Sequence, residues 1–398
     1  MKRVFLYIII YVVVMPLFLS ACHHDHDEPT PRVKARTVIV YMMAENSLSN
    51  FAQSDINEMV KASNLVPDSV NFIIYLDKAM RSQTDTGLPL IYHLTNGGNA
   101  QKSLKEWYTF REDHISTDSV VMLQNLRRIV DAFPASHYGL VFWSHGSGWI
   151  PQKRRTIGID NGRNERNDLG YETNITALRW VLEQLPHTDY IFFDACFMQS
   201  VETAYELRNV TDWMVGSPAE TPGYGAPYDM LMPALCSGDA EGIAQAYYDY
   251  YPNSMWGAGV LLSAIRSDHL DALASVTARY IPALFADRAE VSTSGFQWYC
   301  DDYSRYTYCW DMSNTMYSLL APDEYDVWRK AFDDAVPLSL PTSSWIANKC
   351  RSPYVRDVEH CGAVSMFVPN PSDDSDGWNE ALHQTQWYKA AGWNQTGW

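Results

Sequence analysis

Short apolar segments recur along the chain and limit what it can fold into, because their apolar residues run without a break instead of alternating with polar ones. Unbroken apolar strands are typical of a sheet that is covered on both faces. Stretches with helical periodicity lie between them, so strand and helix alternate along the chain. This order predicts an α/β fold in which a mostly parallel sheet lies between two layers of helices. The segments are "TVIVYMM" (37–43), "VNFIIYLD" (70–77), "YGLVFWSH" (138–145), "DYIFFDAC" (189–196) and "WMVGS" (213–217).

Two stretches illustrate the predicted helices, "SLSNFAQSDINEMVKAS" and "DSVVMLQNLRRIVDAF". The second places apolar residues on one helical face, which we expect to be buried; they are Val120, Leu123, Leu126, Ile129 and Val130. "GAGVLLSAI" and "GAVSMFVP" are candidates for further strands. Because no proline-rich linker divides the chain after residue 36, we expect one domain over residues 37–398.

The N-terminus has the pattern of a bacterial export signal. Lys2 and Arg3 precede an apolar segment over residues 4–18, and "LSAC" follows it and resembles a lipobox. We therefore expect a lipoprotein signal peptide over residues 1–21 and a lipid on Cys22. The alternatives are an ordinary signal peptide or a membrane-spanning anchor with an incidental cysteine.

A polar segment with prolines follows, and it predicts a flexible tether over residues 22–36. Its histidines are interpreted as solvated residues, not as metal ligands. The chain is thus expected in the bacterial cell envelope, attached to the membrane through Cys22. The sequence leaves open whether it faces the periplasm or the exterior.

The composition excludes some classes of function. With 46% hydrophobic residues among 398, the chain can bury a large core and is not a disordered protein. The formal charge is −17, and no Lys/Arg-rich run forms a phosphate-binding face, which excludes nucleic acid as an expected partner. An acidic surface instead attracts cationic peptides.

The chain has seven cysteines, and an exported chain can form disulfides. Cys300 with Cys309 and Cys350 with Cys361 are candidate pairs, although connectivity cannot be read from the sequence. Cys196 and Cys236 are then left over. An unpaired thiol outside the cytosol requires an explanation.

His145 and Cys196 each come at the end of a predicted strand, where open α/β sheets collect ligands and catalytic groups. If the two strands are neighbours, imidazole and thiol meet at one edge of the sheet. Such a pair supports acyl transfer, in which the sulfur attacks a carbonyl and the imidazole protonates the leaving amine. The backbone N–H groups of Gly146 and Cys196 are candidate oxyanion donors.

The residues after Cys196 have helical spacing, and a cysteine at the N-terminus of a helix is stabilised as a thiolate. The competing interpretation is structural. A buried cysteine often acts as a small hydrophobic residue, and a histidine after a strand is often a hydrogen-bonded turn residue.

The motif "VFWSHGSGW", followed 51 residues after its histidine by "FFDACFMQSVETAYEL", resembles the clostripain family of cysteine peptidases within the caspase-like clan. Further matches are "TVIVYMMAEN", "SPAETPGYGAPYD" and "GAVSMFVP", so the resemblance spans roughly residues 37–370. The serine in "HGSGW" and the residues in "CFMQS" depart from the common family pattern. These departures leave the histidine and the cysteine in place. What they affect is the shape of the pocket that would bind the substrate.

The resemblance implies a caspase-like α/β/α sandwich with His145 and Cys196 as the catalytic dyad of a cysteine endopeptidase. It also implies cleavage of peptides or proteins after arginine or lysine, with Asp194 in the primary specificity pocket and Glu220 in another wall of the pocket. The alternative for Asp194 is a buried structural acid that caps the following loop.

Self-cleavage between the two catalytic residues also occurs in the family. Lys153, Arg154 and Arg155 are candidate sites for it, because residues 151–170 are predicted to form a long exposed loop. The alternative is an ordinary solvated run of charges. Calcium dependence occurs in the family as well, which makes calcium a candidate cofactor, although the acids of this loop do not match a calcium-loop spacing.

A function of another class competes with the peptidase. The same fold without activity is a tethered module that binds peptides or glycans. Aromatic residues are dense in "FQWYCDDYSRYTYCW" (296–310) and in the C-terminal segment (377–398), where they form either a carbohydrate platform or part of the core. The presence of both His145 and Cys196 favours the enzyme.

Overall fold

The predicted strands belong to one large sheet in the computed structural model. The model describes residues 32–80, 86–97, 99–150, 156–162, 168–251, 259–299, 309–347, 353–371 and 377–398. Within these ranges the strands are β1 (Lys34–Ala44), β2 (Val70–Lys78), β3 (Leu90–Leu94), β4 (Leu104–Thr109), β5 (Ala135–Trp143), β6 (Ile157–Asp160), β7 (Tyr171–Thr173), β8 (Thr188–Asp194), β9 (Thr211–Gly216), β10 (Leu262–Arg266), β11 (Trp298–Tyr299), β12 (Cys309–Asp311), β13 (Leu338–Leu340) and β14 (Ser365–Met366).

Nine of these described strands form the large sheet, in the order β13-β10-β9-β8-β5-β1-β2-β3-β4. The five central strands, β9 to β2, pair in parallel. β3 and β10 pair antiparallel with both neighbours, so they run opposite to the other seven strands. The sheet is therefore mostly parallel, as the unbroken apolar segments predict.

Most of the helices lie between the strands along the chain, and the last two follow the last described strand. They are α1 (Ser49–Lys61), α2 (Ala100–Ser103), α3 (Ser119–Ala132), α4 (Ile175–Leu182), α5 (Val201–Leu207), α6 (Tyr228–Ser237), α7 (Ala240–Tyr250), α8 (Leu270–Thr277), α9 (Ile281–Leu284), α10 (Met312–Leu319), α11 (Pro322–Ala335), α12 (Trp378–His383) and α13 (Gln386–Ala390). None of the helices in the described ranges is long and apolar enough to cross a membrane.

The side chains of β1 show how the sheet is covered. Val38, Val40 and Met42 pack in one buried cluster with residues of α1, α6 and α7. Ile39 and Tyr41 point to the other face and pack in a second cluster with α3, α4, α5, α8 and α11. Burial on both faces confirms the predicted α/β/α sandwich. Each fully buried aliphatic side chain stabilises the folded state by roughly 1.5–3 kcal/mol relative to an exposed one.

Val33–Trp398 form one compact unit, and β1 begins at Lys34, three residues before the predicted start of the domain at residue 37. The signal segment and the lipidation candidate Cys22 lie outside the described residues.

Helix α3 begins where its sequence predicts. Asp118 accepts hydrogen bonds from the backbone N–H groups of Val120 and Val121, at 2.9 and 3.0 Å, and so caps the helix N-terminus. The predicted buried face is correct at Leu123 and Leu126 but wrong at Val120, which is 51% exposed. Val120 lies in the first turn of the helix.

The prediction of one long exposed loop over residues 151–170 is wrong in its middle. Residues 157–160 form the buried strand β6, which pairs with β7. Gly158 has φ +77°, and a Cβ at this position would lie 2.7 Å from both Met43 Sδ and Thr117 Cγ2. Only glycine fits there, so the strand packs closely against the end of β1. The charged residues on either side of this short apolar stretch hide it in the sequence.

The aromatic residues of the C-terminus belong to the core, which removes the carbohydrate platform proposed there. Trp378, Trp387, Trp393 and Trp398 are at most 4% exposed. In the other aromatic segment, Phe296 and Tyr299 are buried as well, and residues 300–308 lie outside the described residues.

The candidate disulfide Cys350–Cys361 is not formed, whereas the candidate Cys300–Cys309 is not tested, because Cys300 lies outside the described residues. Cys361 is a buried free thiol whose sulfur lies 3.1 Å from Tyr299 Oη, whereas Cys300 and Cys350 lie outside the described residues. Of the strands proposed near the end of the chain, "GAGVLLSAI" contributes β10 to the large sheet. "GAVSMFVP" contributes only the short β14, which pairs with β12 in a separate small sheet.

Candidate active site

The register of the sheet places His145 and Cys196 side by side. β5 and β8 are parallel neighbours, and Trp143 pairs with Asp194. His145 and Cys196 each follow this pair by two residues, so both lie just beyond the carboxyl edge of the sheet. They line one cavity of about 490 Å³.

The cavity collects side chains from segments that are far apart in the sequence. All of the site residues predicted within the described ranges line it, namely His145, Gly146, Asp194, Cys196 and Glu220. Ser47, Phe51, Asp168 and Tyr224 also line it, and sequence reasoning did not single these out. The cavity opens at the sheet edge where open α/β folds place their ligands.

Asp168 and Ser47 hold the imidazole of His145. The Nε2 atom lies 2.9 Å from Ser47 Oγ and 3.3 Å from Asp168 Oδ1. Ser47 in turn donates to Asp168 from its backbone N–H, at 3.1 Å, and from its hydroxyl, at 3.0 Å. The three groups form a closed network, which fixes the orientation of the ring.

The network keeps Asp168 ionised. Burial by itself would raise the pKa of this carboxyl, but the hydrogen bond and positive charge of His145 and the two donors of Ser47 outweigh burial and lower the pKa well below its ordinary value. No motif spacing marks Asp168 in the sequence, because it is one acid among many charges in the 151–170 segment. The turn that carries Ser47 is fixed by Asn46, whose side-chain NH₂ donates to Met43 O and Ile159 O, both at 2.9 Å.

Cys196 is half-buried, and its sulfur contacts Thr221. The backbone N–H of Thr221 donates to Sγ at 3.3 Å, and Thr221 Oγ1 lies 3.5 Å away. Burial raises the pKa of the thiol, the Thr221 hydrogen bonds lower it, and the negative charges of Glu220 and Asp194 raise it further. The net shift is upward, so the cysteine is a thiol in the free protein.

This state corrects the prediction of a thiolate stabilised by a helix dipole. The helix after Cys196 begins only at Val201, where Ser200 caps it by accepting from the backbone N–H of Thr203 at 3.1 Å. Before it, Phe197 has φ +61° and donates its N–H to Ala219 O at 3.1 Å. The chain therefore turns away after Cys196 to pair with residues 217–221, and the thiol does not lie on a helix axis.

Gly146 follows His145 and packs against the backbone of Cys196. It forms an antiparallel bridge with Ile157, and the bonds of this bridge are made by its neighbours, from Ser147 N to Thr156 O and from Gly158 N to His145 O, both at 3.0 Å. The N–H of Gly146 consequently points away from β6. A Cβ on Gly146 would lie 2.4 Å from Cys196 O, so a larger residue would displace the cysteine loop.

Asp194 is buried, and its carboxylate accepts hydrogen bonds from the loop before α6 and from α6 itself. Its Oδ2 accepts from the N–H of Ala226 at 3.2 Å and from the hydroxyl of Tyr228 at 3.0 Å. Burial raises its pKa to about 6, although both hydrogen bonds lower it. Asp194 thus caps the loop before α6, not the loop that directly follows it as the structural alternative predicts, and it also lines the cavity.

A second carboxyl lies close to Asp194. Asp55 Oδ2 accepts from Trp143 Nε1 at 2.6 Å. Burial, followed by the negative charge of Asp194, raises the pKa of Asp55 to about 9. Asp55 is therefore neutral at pH 7, and Asp194 carries the negative charge of this part of the site.

A profile of the clostripain family matches residues 40–398. The chain belongs to the clostripain peptidase family. The match confirms the family that the motifs around His145 and Cys196 indicate, together with its enzyme class, the cysteine peptidases. Clostripain from Hathewaya histolytica is 24% identical over 225 residues, which are 51% of this chain and 42% of clostripain. The matched region is thus less than half the length of that relative.

Two solved structures of the family cover nearly the whole chain. A secreted C11 cysteine protease from Bacteroides thetaiotaomicron, solved with an irreversible peptide inhibitor, is 31% identical with a TM-score of 0.76, over 90% of this chain and 99% of that one. An inactive zymogen of a C11 protease from Parabacteroides distasonis is 26% identical with a TM-score of 0.72, over 91% and 99%. Both agree with the sandwich architecture found here.

Of the remaining residues predicted from the clostripain resemblance, the structure describes Glu220 but not the self-cleavage candidates. Glu220 is 7% exposed and lies in the cavity wall next to Thr221. The self-cleavage candidates Lys153, Arg154 and Arg155 lie outside the described residues.

Carboxylate oxygens of the kind that calcium, the candidate cofactor, prefers lie close together outside the cavity. Glu45, Asp77 and Asp113 each offer one carboxylate oxygen, and these oxygens lie within 4.8 Å of one another. Hard oxygen donors of this kind suit Ca²⁺. Asp168, the described acid of the 151–170 segment that lines the cavity, is instead engaged with His145 and Ser47.

Proposed function

We propose that this protein is an exported cysteine endopeptidase that cleaves peptide bonds after arginine or lysine, with Cys196 as nucleophile and His145 as general acid and base. The observation that supports it most is the matched register of β5 and β8, which brings His145 and Cys196 to one cavity with the Asp194 carboxylate. A binding module has no need of this combination.

The raised pKa of Cys196 defines the first step. As the sulfur attacks the scissile carbonyl, the ring nitrogen of His145 that is not paired with Asp168 accepts the thiol proton. The C–S bond forms while the carbonyl oxygen becomes negative, and the N–H groups of Gly146 and Cys196 are the proposed donors to this oxyanion.

Collapse of the tetrahedral intermediate breaks the C–N bond. His145 returns its proton to the leaving amine, which leaves as a neutral fragment, and a thioester remains on Cys196. Water then attacks the thioester, again with His145 as base, and releases the acid product and the thiol. Asp168 and Ser47 act on His145 alone and are positioning residues.

Asp194 accounts for the proposed specificity. A guanidinium or ammonium group entering the cavity pairs with its carboxylate, and a charge-assisted hydrogen bond in a partly buried site is stronger than one in water. Because burial raises the pKa of Asp194 to about 6, the free protein carries this negative charge at neutral pH but loses it in acid.

Export and activation complete the proposal. A signal peptide over residues 1–21 and a lipid on Cys22 would attach the protein to the cell envelope, and a solved relative is described as secreted. An enzyme that cleaves after arginine or lysine could activate itself by cutting its own chain at Lys153, Arg154 or Arg155. Another solved relative is described as an inactive zymogen, which supports activation by processing.

A panel of fluorogenic peptides ending in Arg, Lys, Asp, Asn or Leu tests the proposal. We expect hydrolysis of the Arg and Lys peptides by the purified protein, and rates at least about 100-fold lower for the others, since the uncharged and acidic side chains do not pair with Asp194. Preferential cleavage after Asp or Asn would contradict the specificity. An absence of cleavage after limited nicking of the 151–170 segment would favour the binding module.

Asp168→Asn tests the positioning role. We expect kcat to fall about 10- to 100-fold, while KM changes less than about threefold. The loss in kcat is smaller than the whole contribution of general acid–base catalysis, because His145 itself remains. Asp168 contacts the imidazole and acts through it, so the loss should fall on kcat and not on KM.

Asp131→Asn is the matched control for this variant, because Asp131 is an exposed carboxylate of α3 outside the cavity. It should leave kcat and KM unchanged. If Asp168→Asn lowers only the stability and leaves kcat at the wild-type value, Asp168 has a structural role alone.

A further inference from the structure

A second carboxyl lies next to Asp194, behind the wall of the cavity. Asp55 is in the middle of α1, is fully buried and does not line the cavity itself. A Cβ on Gly225, which does line the cavity, would lie 3.0 Å from Asp194 Oδ2 and 3.2 Å from Asp55 Oδ2. The two carboxyls therefore approach each other at a glycine of the cavity wall.

The two oxygens of Asp55 are unequally satisfied. Oδ2 accepts a hydrogen bond from the indole N–H of Trp143 at 2.6 Å, and Trp143 also lines the cavity. Oδ1 is buried, and among the described residues it has no hydrogen-bond partner. A buried carboxylate with one unpaired oxygen is unfavourable, so Asp55 requires either a proton or a nearby cation.

Acidic groups surround Asp55 in the described part of the chain. Burial is the main reason why its pKa is raised, and the negative charges of Asp194 and Glu58 raise it further. The other titratable groups that interact with it are the hydroxyls of Tyr228, Tyr247 and Tyr251. None of these described neighbours is a cation, so a proton satisfies Asp55 in the free protein.

A cation bound in the cavity would change this balance. When a guanidinium or ammonium group pairs with Asp194, it neutralises the charge that repels an ionised Asp55, and it adds an attraction of its own. Both effects favour the ionised form of Asp55. They are strong in a buried site, because little water screens the charges.

We infer that Asp55 is a second acid of the specificity pocket and gives up its proton when a basic side chain pairs with Asp194. This inference rests on the specificity proposed for Asp194. The O–H bond of Asp55 breaks and the proton passes to solvent, so a cation enters, a proton leaves, and the net charge of the pocket stays the same. Asp55 touches no reacting atom and is a positioning residue that acts through Asp194.

Glu58 offers the proton a route to solvent. It lies one helical turn after Asp55 on α1, and residues at this spacing are neighbours on a helix. It is half-buried, and burial raises its pKa to about 7. A carboxyl that titrates near neutral pH accepts a proton from a buried neighbour and releases it to water.

Binding of cations should strengthen as the pH rises above neutrality. A ligand that favours the ionised form lowers the pKa of Asp55 from about 9. Below that pH the free protein holds a proton that the complex lacks, so binding releases a proton and is favoured by higher pH. Asp194, with its pKa of about 6, causes a similar rise only at lower pH.

Isothermal titration calorimetry with Nα-acetylagmatine tests the inference, because this guanidinium compound lacks the bond that a peptidase cleaves after arginine. Titrations at pH 8 in phosphate and in tricine, buffers with different ionisation enthalpies, give the number of protons released. We expect at least about 0.5 proton per bound ligand, and Kd should fall at least about threefold between pH 7 and pH 8. The analogue with a neutral urea in place of the guanidinium should release none.

Asp55→Asn is the decisive variant, since the amide has the shape of the protonated carboxyl but does not titrate. It should release less than about 0.1 proton at pH 8, and its Kd should agree at pH 7 and pH 8 within about 1.5-fold. Asp131→Asn, the same change at an exposed carboxylate, should behave as the wild type does. A purely structural role of Asp55 would lower stability but leave proton release unchanged.

The titration needs no hydrolysis, so its result is separate from the proposed peptidase activity. Binding of Nα-acetylagmatine without proton release would overturn this inference and leave the specificity of Asp194 standing, whereas an absence of binding would overturn both. If Asp55→Asn does not fold, Cys196→Ala takes its place. Release that persists without the thiol supports Asp55, and release that disappears with the thiol would assign the proton to Cys196 and overturn the inference.

Discussion

Cys196→Ala should abolish cleavage of the arginine and lysine peptides, with a loss in kcat of at least about 10⁴-fold. The reason is that no covalent intermediate can form, and the loss of a nucleophile removes the contribution of the whole catalytic unit. The measurement is single-turnover and steady-state hydrolysis of the fluorogenic panel, with circular dichroism to verify that the variant folds.

Cys236→Ala is the matched control, because Cys236 is another free thiol, buried in α6, that does not line the cavity. It should retain activity within about threefold. The same pair tests the proposed self-cleavage: Cys196→Ala should remain a single chain, whereas the wild type and Cys236→Ala should be cut at the basic residues 153–155. Residual activity of the purified Cys196→Ala protein above about 1% would contradict the assignment of the nucleophile.

Asp194→Asn should lower kcat/KM for arginine and lysine peptides by about 10²–10³-fold, since a partly buried charge loses its partner. For a peptide with an uncharged residue such as glutamine before the scissile bond, the change should be less than about tenfold. The preference for basic residues therefore collapses, and comparison of the two peptides on the same variant separates specificity from general damage.

The protonation of Asp194 should make kcat/KM for arginine peptides depend on pH. Asp194, with its pKa raised to about 6, is protonated below that pH and cannot pair with a cation. In the wild type, kcat/KM for arginine peptides should therefore fall as the pH drops through about 6. In Asp194→Asn this dependence should be lost.

Tyr228→Phe offers a control that keeps the carboxylate. The hydroxyl of Tyr228 donates to Asp194 and lowers its pKa, so its removal should move the acid limb to higher pH without loss of the basic preference. An Asp194→Asn protein that still prefers arginine by the wild-type ratio would show that another acid, such as Glu220, determines the specificity.

Much of the fold was predictable because the central strands are apolar on both faces. Parallel strands such as β1 and β8 need helices on both sides, so their composition indicates the sandwich before any contact is known. The position of His145 and Cys196 after two such strands was predictable for the same reason. The strand β6 was missed, because its four residues carry only two apolar side chains, Ile157 and Ile159, among charged neighbours, which is too short a signal.

The surroundings of the two catalytic candidates were not predictable. The thiolate predicted for Cys196 assumed that a helix begins at once, whereas the chain first turns to pair with residues 217–221. Asp168 and Ser47 are 121 residues apart in the sequence, and no spacing rule relates them to His145. Their role follows from the packing of loops at the sheet edge.

The sequence by itself determined the family, the layered architecture and the residues capable of covalent catalysis, because each depends on local composition or on a motif. Only the tertiary structure decided the protonation of Cys196, the partner of His145 and the grouping of Glu45, Asp77 and Asp113. These depend on burial and on distances between groups far apart in the chain, and the electrostatic free energy of a charge is set by what surrounds it in space.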